Sequence, residues 1–303
     1  WLKDRDASKP FLAYINMMEA HKPRVPTMRS RETVIDDPAL IALGLETPVT
    51  EREHLKYMVE LRDYSAKERE AIAGVYDASL RELDMATHGI LEDLRVRNLL
   101  DNTIVVLVSD HGEALGEHGL FAHKYGLYDE LVRVPLLIRY PSKVAAGRRA
   151  STVSTQHLYA TLLDLTGVPR PRYLKGPSLV DRSTDTPAFA EIASTNSAKY
   201  SELLERFPEA GPKVKPLLRE AKLVERDGYK LIVYENGERE LYNIGVDPNE
   251  LTNIADDHRD RVEDLLRELV LWEQGHRKRG REQDEREELI APEGDEEKLL
   301  QLL

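Results

Sequence analysis

Cysteine is absent from the 303-residue chain, which excludes disulfides and thiolate chemistry from these residues. That absence fits a reducing or an oxidising compartment alike. Long apolar runs are also missing. None approaches the roughly 20 residues needed to span a bilayer, so the sequence has no transmembrane segment. Basic excess is missing too. Forty-three Lys and Arg stand against 55 Asp and Glu, a net charge of -12 at pH 7. A general nucleic-acid binder is therefore excluded, because no basic face would collect phosphates. A small anionic substrate is not excluded, since local charge decides that. There is no internal repeat. There is also no initiating Met and no signal-peptide pattern before "WLKDRDASKPFLAYINM", as expected of a fragment or a processed chain.

What is present is ordinary for a soluble globular protein, with 41% hydrophobic and 32% charged residues. The length suits one large domain, or a domain plus a smaller one. "PFLAYINM" (10–17) reads as a strand, and Pro23 and Pro26 force an extended loop after it. Residues 27–66 read as irregular, with one helix around "EREHLKYMVELRDY". Ile72, Val75, Tyr76, Leu80, Leu83, Thr87, Ile90, Leu91 and Leu94 then recur at helical spacing. "TIVVLVS" (103–109) is a β-branched run suited to a strand buried on both faces of a parallel sheet. Strand, crossover helix and strand make a βαβ-type unit. "RVPLLIRYP" (133–141) and a helix over 154–167, with Gly167 at its C-cap, continue the alternation.

After about residue 186 the pattern becomes an antiparallel meander, with turns at Asp227-Gly228 and Asn236-Gly237. An amphipathic helix, "HRDRVEDLLRELVLWEQ", follows, with Trp272 expected in the core. The expected division is a partial catalytic α/β domain over 1–185, an antiparallel subdomain with its helix over 186–275, and a densely charged, solvated tail over 276–303.

Open α/β sheets bind ligands beyond the carboxyl ends of their strands. Two strand ends here are chemically loaded. Glu19-Ala20-His21 follows the first, and Asp110-His111 follows "TIVVLVS". In a parallel sheet both tips share one edge, so these groups can converge. Asp110 offers a hard oxygen and His111 a borderline nitrogen, a pair that suits a divalent cation. Gly112 would let neighbouring backbone approach closely. Taken alone, Asp-His-Gly reads more readily as a turn cap beside an exposed loop histidine, because so short a motif recurs by chance.

The longer context is more specific. "SDHGEALGEHGLFAHKYGLYDELVRVPLLIRYP" (109–141) resembles the sulfatase branch of the alkaline phosphatase superfamily. The resemblance extends through "KPFLAYINMMEAHKPRVP", "YDASLRELDMATHGILEDLRVRNLLDNTIVVLVSDHGE", "QHLYATLLDLTGVPRP" and "DGYKLIVYENGERELYNIGVDPNELTNIADD". It covers nearly the whole chain to about residue 272. The fold it implies is an α/β, alkaline-phosphatase-like mixed sheet flanked by helices, plus a small C-terminal antiparallel-sheet subdomain.

The resemblance also implies roles. Asp110 and His111 stand where the family places two metal ligands. Many sulfatases have Asn at the second position; the Asp-His form occurs in phosphonate monoester hydrolases and in some sulfatases, so it does not separate the two substrate classes. His21 stands where the family has a histidine near the leaving-group oxygen, a sensible place for a general acid. Lys124 resembles the lysine that contacts the ester oxygens, where a fixed cation would stabilise developing charge. Counted from Asp110, His123 takes that place instead. Glu113 is expected to organise the loop through hydrogen bonds, and Glu117 and His118 to pack it. Arg133 and Pro135 are expected to fix the start of the next strand, with Asp84 and Tyr76 structural.

The implied metal is divalent, calcium first, with manganese, magnesium and zinc as alternatives. The family's nucleophile lies in a Cys- or Ser-x-Pro-x-Arg motif whose Cys or Ser becomes formylglycine. Neither that motif nor the family's first metal motif, a pair of Asp residues, occurs here, so both are expected upstream. Two ligands make a weak site for a cation that takes about six. The chain alone is thus expected to bind metal poorly and to lack turnover. The implied activity of the intact protein is metal-dependent hydrolysis of a small-molecule or saccharide sulfate ester. Phosphonate monoester, phosphodiester or phosphate hydrolysis on the same fold is the alternative, and a non-catalytic pseudoenzyme is a third. Specificity is expected from residues 27–66 and 194–220.

Overall fold

The computed structural model describes residues 1–174, 176–181, 186–193 and 198–290, with side chains left out at 198, 199, 202, 203 and 276–290. Two compact units are present. The first comprises residues 1–100 and 115–122, the second residues 101–114 and 123–303.

The first unit is built on a long helix. Segment 27–66, expected to be largely irregular, instead carries three short helices: α1 (Met28–Val34), α2 (Pro38–Glu46) and α3 (Glu51–Met58). Each has a sequence-encoded start. The side chains of Thr27, Asp37 and Thr50 accept hydrogen bonds from backbone N–H groups of the first turn, and Pro38 occupies a first-turn position of α2. α4 (Ala66–Val96) runs 31 residues, about 46 Å at 1.5 Å per residue. A reciprocal capping box starts it: Ser65 Oγ accepts from Glu68 N at 3.2 Å, and Glu68 Oε2 accepts from Ser65 N at 2.8 Å. Its buried residues, Ala71, Ile72, Val75, Ala78 and Ser79, recur at helical spacing. Ile35, Leu40, Ile41 and Ala71 form one core cluster with α1 and α2. Tyr64, Ile72 and Phe121 form another.

Residues 10–17 form no strand, which corrects the sequence expectation. Leu12 and Tyr14 are 90% and 88% exposed, and no strand among the described residues pairs with this segment. Extended backbone becomes sheet only where a neighbour takes up its N–H and C=O groups.

In the second unit, β1 (Val105–Val108) fulfils the β-branched run, but not as a doubly covered parallel strand. Along the chain come next the short strands β2 (Ala114–Leu115) and β3 (Phe121–Ala122), of which residues 115–122 belong to the first unit, and then the one-turn helix α5 (Asp129–Val132) of the second unit. β4 (Leu136–Arg139) then pairs antiparallel with β1, in a register from Val105↔Arg139 to Val108↔Leu136. With β4 as its one ladder partner among the described residues, β1 is half-buried and Val108 is exposed. α6 (Leu158–Thr166) ends as expected at Gly167, which takes the left-handed conformation at φ 76°.

The meander is present as a four-stranded antiparallel sheet in the order β5 (Ala188–Ile192), β6 (Ala221–Arg226), β7 (Tyr229–Tyr234), β8 (Arg239–Asn243). Its turns fall at Asp227-Gly228 and Asn236-Gly237, with Asp227, Gly228 and Gly237 at positive φ. β5 was not expected from the sequence. α7 (Ala198–Arg206) and α8 (Gly211–Leu217) lie between β5 and β6. The final helix, α9 (Arg259–Ile290), covers one sheet face with Val262, Leu265 and Leu269. Trp272 joins this core, its ring stacked 5.0 Å from Phe189. The helix continues through residues 276–290 of the segment expected as tail; 291–303 lie outside the described residues. No helix among the described residues is long and apolar enough to cross a membrane.

Candidate active site

The chemistry-bearing loop begins where β1 ends. Ser109 N donates to Pro135 O at 3.4 Å, and Gly112 N donates to Leu131 O at 2.7 Å, so both ends of Asp110-His111 are pinned to the α5–β4 segment. Gly112 is required sterically. A Cβ there would lie 1.9 Å from Glu130 O, far inside van der Waals contact.

This pinning presents two ligand-type groups on one side. Asp110 Oδ1 accepts from His111 N at 3.0 Å, and the Asp110 carboxylate is largely exposed. His111 Nδ1 lies 2.9 Å from Gly112 O. A carbonyl can only accept, so Nδ1 carries the hydrogen and the neutral ring has its lone pair at Nε2. Nε2 lies 3.8 Å from Asp110 Oδ2. One divalent cation can span that separation, with imidazole nitrogen at about 2.0–2.1 Å and carboxylate oxygen at about 2.0–2.6 Å. The donor set and the fixed tautomer thus fit a divalent cation, which the sulfatase family implies. A backbone carbonyl on the other nitrogen of a ligating histidine is the usual supporting contact.

Glu113 and His123 complete the cluster. His123 Nδ1 and Glu113 Oε2 are 2.7 Å apart, with side chains 15% and 6% exposed. The His123 ring stacks on His111, centroids 4.2 Å apart. Glu113 therefore organises the loop through a hydrogen bond, as the sequence suggests. Lys124, half-buried, is the next residue. Arg133 pairs with Asp129 at 3.5 Å, one turn back along α5.

A buried charge cluster supports α5 from beneath. Lys230, fully buried on β7, pairs with Asp129 Oδ1 and with Glu250 Oε1, the latter at 2.8 Å. Glu250 Oε2 also accepts from Asp129 N at 2.5 Å and so caps α5. Burial pushes the Glu250 carboxyl above the usual carboxylate range, against the pull of Lys230. A continuous set of contacts thus runs from the C-terminal sheet through α5 to Gly112. Sequence reasoning missed this cluster. The available signal was a lysine at an inward position of "YKLIVY", on the face that carries Ile232 and Tyr234.

His21 belongs to the first unit and is exposed. Its Nδ1 lies 2.7 Å from Lys22 O, so that nitrogen too carries its hydrogen. Residues 10–17 form no strand, so the strand end on which the sequence argument placed Glu19 and His21 is not formed among the described residues. His118 and Glu117 sit in a tight turn of the first unit, with His118 at φ 52° and Glu117 Oε2 accepting from Leu115 N at 2.6 Å. Tyr76 receives the guanidinium of Arg24 on its ring.

Comparison with known proteins identifies the family. Residues 1–168 match the sulfatase family model, and residues 116–274 match the model described as N-sulphoglucosamine sulphohydrolase, C-terminal. Arylsulfatase K of Rattus norvegicus is 29% identical over 277 residues, covering 84% of this chain and 47% of the relative. The chain thus spans about half the length of that relative. A solved structure of a protein in complex with its substrate D-glucosamine-2-N,6-O-disulfate superposes with TM-score 0.66 at 22% identity, covering 91% of this chain and 68% of the other. A phosphonate monoester hydrolase of Agrobacterium radiobacter superposes with TM-score 0.56 at 25% identity, covering 72% and 43%. The Asp-His loop, the helices around it and the C-terminal antiparallel sheet all fall within the matched residues, and the chain belongs to the sulfatase family.

Proposed function

We propose that the intact protein is a metal-dependent sulfuric ester hydrolase acting on a small-molecule or saccharide sulfate ester. The observation that carries this reading is the Asp110–His111 pair, with Oδ2 and Nε2 3.8 Å apart and the imidazole tautomer fixed by Gly112 O. Asp110 and His111 would hold the cation, calcium being our assignment and manganese, magnesium or zinc the alternatives. A bound divalent cation supplies neutralisation of the ester oxygens and activation of an oxygen nucleophile. The family's formylglycine is the nucleophile we assign to the intact enzyme; its motif is not among these residues.

The chain's own residues would do the rest. Gly112, packed on Glu130, keeps the ligand pair in place. Lys124 would contact the anionic ester, with His123 the second candidate. His123 gains support from its stacking on His111 and its bond to the buried Glu113 carboxylate. Nδ1 of His21 is held by Lys22 O, so the proton passed to a departing alkoxide or phenoxide would leave from Nε2.

A second reading, phosphonate monoester hydrolysis, is compatible with the Asp-His pair and is supported by the likeness to the Agrobacterium enzyme. Paired assays of the intact enzyme on aryl sulfate, aryl phosphate and phenyl phosphonate esters separate the two. Sulfate should be the preferred ester, and His111→Ala should abolish that activity. Equal rates in wild type and His111→Ala would dispose of the metal-ligand role, and a preference for phosphonate would favour the second reading.

A further inference from the structure

His21 is exposed, yet the residues on either side of it are tied to buried side chains. On one side, Arg24 is 6% exposed and its Nε donates to Ala20 O at 2.9 Å. That bond closes the five-residue loop containing His21. The Arg24 guanidinium lies 4.8 Å over the ring of Tyr76 on α4. On the other side, Lys22 Nζ lies 3.2 Å from His54 Nδ1. An ammonium can only donate, so His54 accepts there. His54 is 1% exposed and stacks on the fully buried Phe121 at 4.6 Å and 21°. His21 N also donates to Met18 O at 3.0 Å.

We infer that Arg24 and His54 are positioning residues that hold the His21 imidazole in the orientation a leaving-group acid needs. The inference rests on the reading of His21 given above. A general acid works only within hydrogen-bond reach of the oxygen it protonates, and an untethered surface loop would spread its imidazole over many orientations. Two anchors, one to the helix and one to the aromatic cluster, restrict the loop at both ends. Arginine suits the first anchor because its plane can lie on Tyr76 while its edge donates to Ala20 O. Lysine at position 24 would keep the charge and lose both geometries.

The test is a leaving-group comparison in the intact enzyme, with kcat/KM measured for phenyl sulfate and for para-nitrophenyl sulfate. Nitrophenolate departs without a proton, so loss of a general acid falls on the phenyl ester. His21→Ala should lose about 100-fold on phenyl sulfate and far less on the nitro compound. Arg24→Lys and His54→Phe should lose about tenfold on phenyl sulfate and less than about twofold on the nitro compound. Tyr76→Leu removes the platform without touching the loop and serves if Arg24→Lys does not fold. Equal losses on both esters, or none, in the anchor variants would overturn the inference. Absence of discrimination in His21→Ala would instead overturn the reading of His21. The anchors are then judged by 15N imidazole shifts of His21. Wild type should hold the Nδ1–H form and the variants should lose it; an unchanged tautomer in the variants overturns the anchoring.

Discussion

The imidazole of His123 lies against that of His111, ring planes 23° apart, while its Nδ1 bonds the buried carboxylate of Glu113 at 2.7 Å. One face of the proposed metal-ligating ring is therefore set by a side chain that a buried acid holds. Glu113→Ala should weaken divalent-cation binding about tenfold, the usual scale for a lost supporting contact. His123→Phe keeps an aromatic face and should stay within about threefold on the same basis. Calorimetric titration with Mn2+ checks both; equal affinity in wild type and Glu113→Ala would remove the supporting role.

Gly112 and Gly89 make a contrasting pair. A methyl group at Gly112 would meet Glu130 O at 1.9 Å, whereas one at Gly89, within α4, meets nothing within 4 Å. Gly112→Ala should cost about 3 kcal/mol or more, since backbone has to move to admit it. Gly89→Ala should gain about 0.5–1 kcal/mol from helix propensity. Urea unfolding measures both.

Lys230→Met leaves Asp129 and Glu250 buried without their cation. The side chains of Lys230 and Glu250 are both fully buried, so screening by water is absent. The loss should be about 3–5 kcal/mol. Glu250→Gln combined with Lys230→Met should recover part of it, because a buried charge is removed along with its partner. Denaturant midpoints of the single and double variants decide this.

Burial lowers the affinity of His157 for its proton, and the positive charges of Arg149 and Arg170 lower it further. The imidazolium is thus disfavoured in the folded state, and the unfolded chain binds the proton first as pH falls. Stability contributed by neutral His157 should be complete above the ordinary histidine value. It should be lost as pH falls from there through the depressed folded value. His157→Gln should flatten that part of the stability–pH curve, and parallel curves for wild type and variant would contradict the assignment.

Local patterns were legible where neighbours in sequence are neighbours in space. The period of Ile72, Val75 and Leu94 marks α4, and Asp227-Gly228 and Asn236-Gly237 mark the hairpins that form. The helices of 27–66 were also encoded, in Thr27, Asp37-Pro38 and Thr50, but each is too short for a persuasive period. "PFLAYINM" shows the reverse error. Its residues favour extended backbone, but propensity says nothing of a partner strand, and none of the described strands supplies one. In the candidate site, the need for Gly112 could be read directly. The pairing of Lys230 with Asp129, 101 residues away, could not, because sequence gives no sign of which buried charges meet. The same holds for the seat that His54 provides for Lys22.

The most direct test of the account is aryl sulfate hydrolysis by the intact enzyme as a function of free Ca2+, compared between wild type and Asp110→Asn. The account predicts saturable dependence on the cation in wild type and a half-saturating concentration at least about tenfold higher in the variant, as expected when a charged ligand becomes neutral. Superimposable curves for the two proteins, or full activity of wild type after exhaustive chelation, would contradict it.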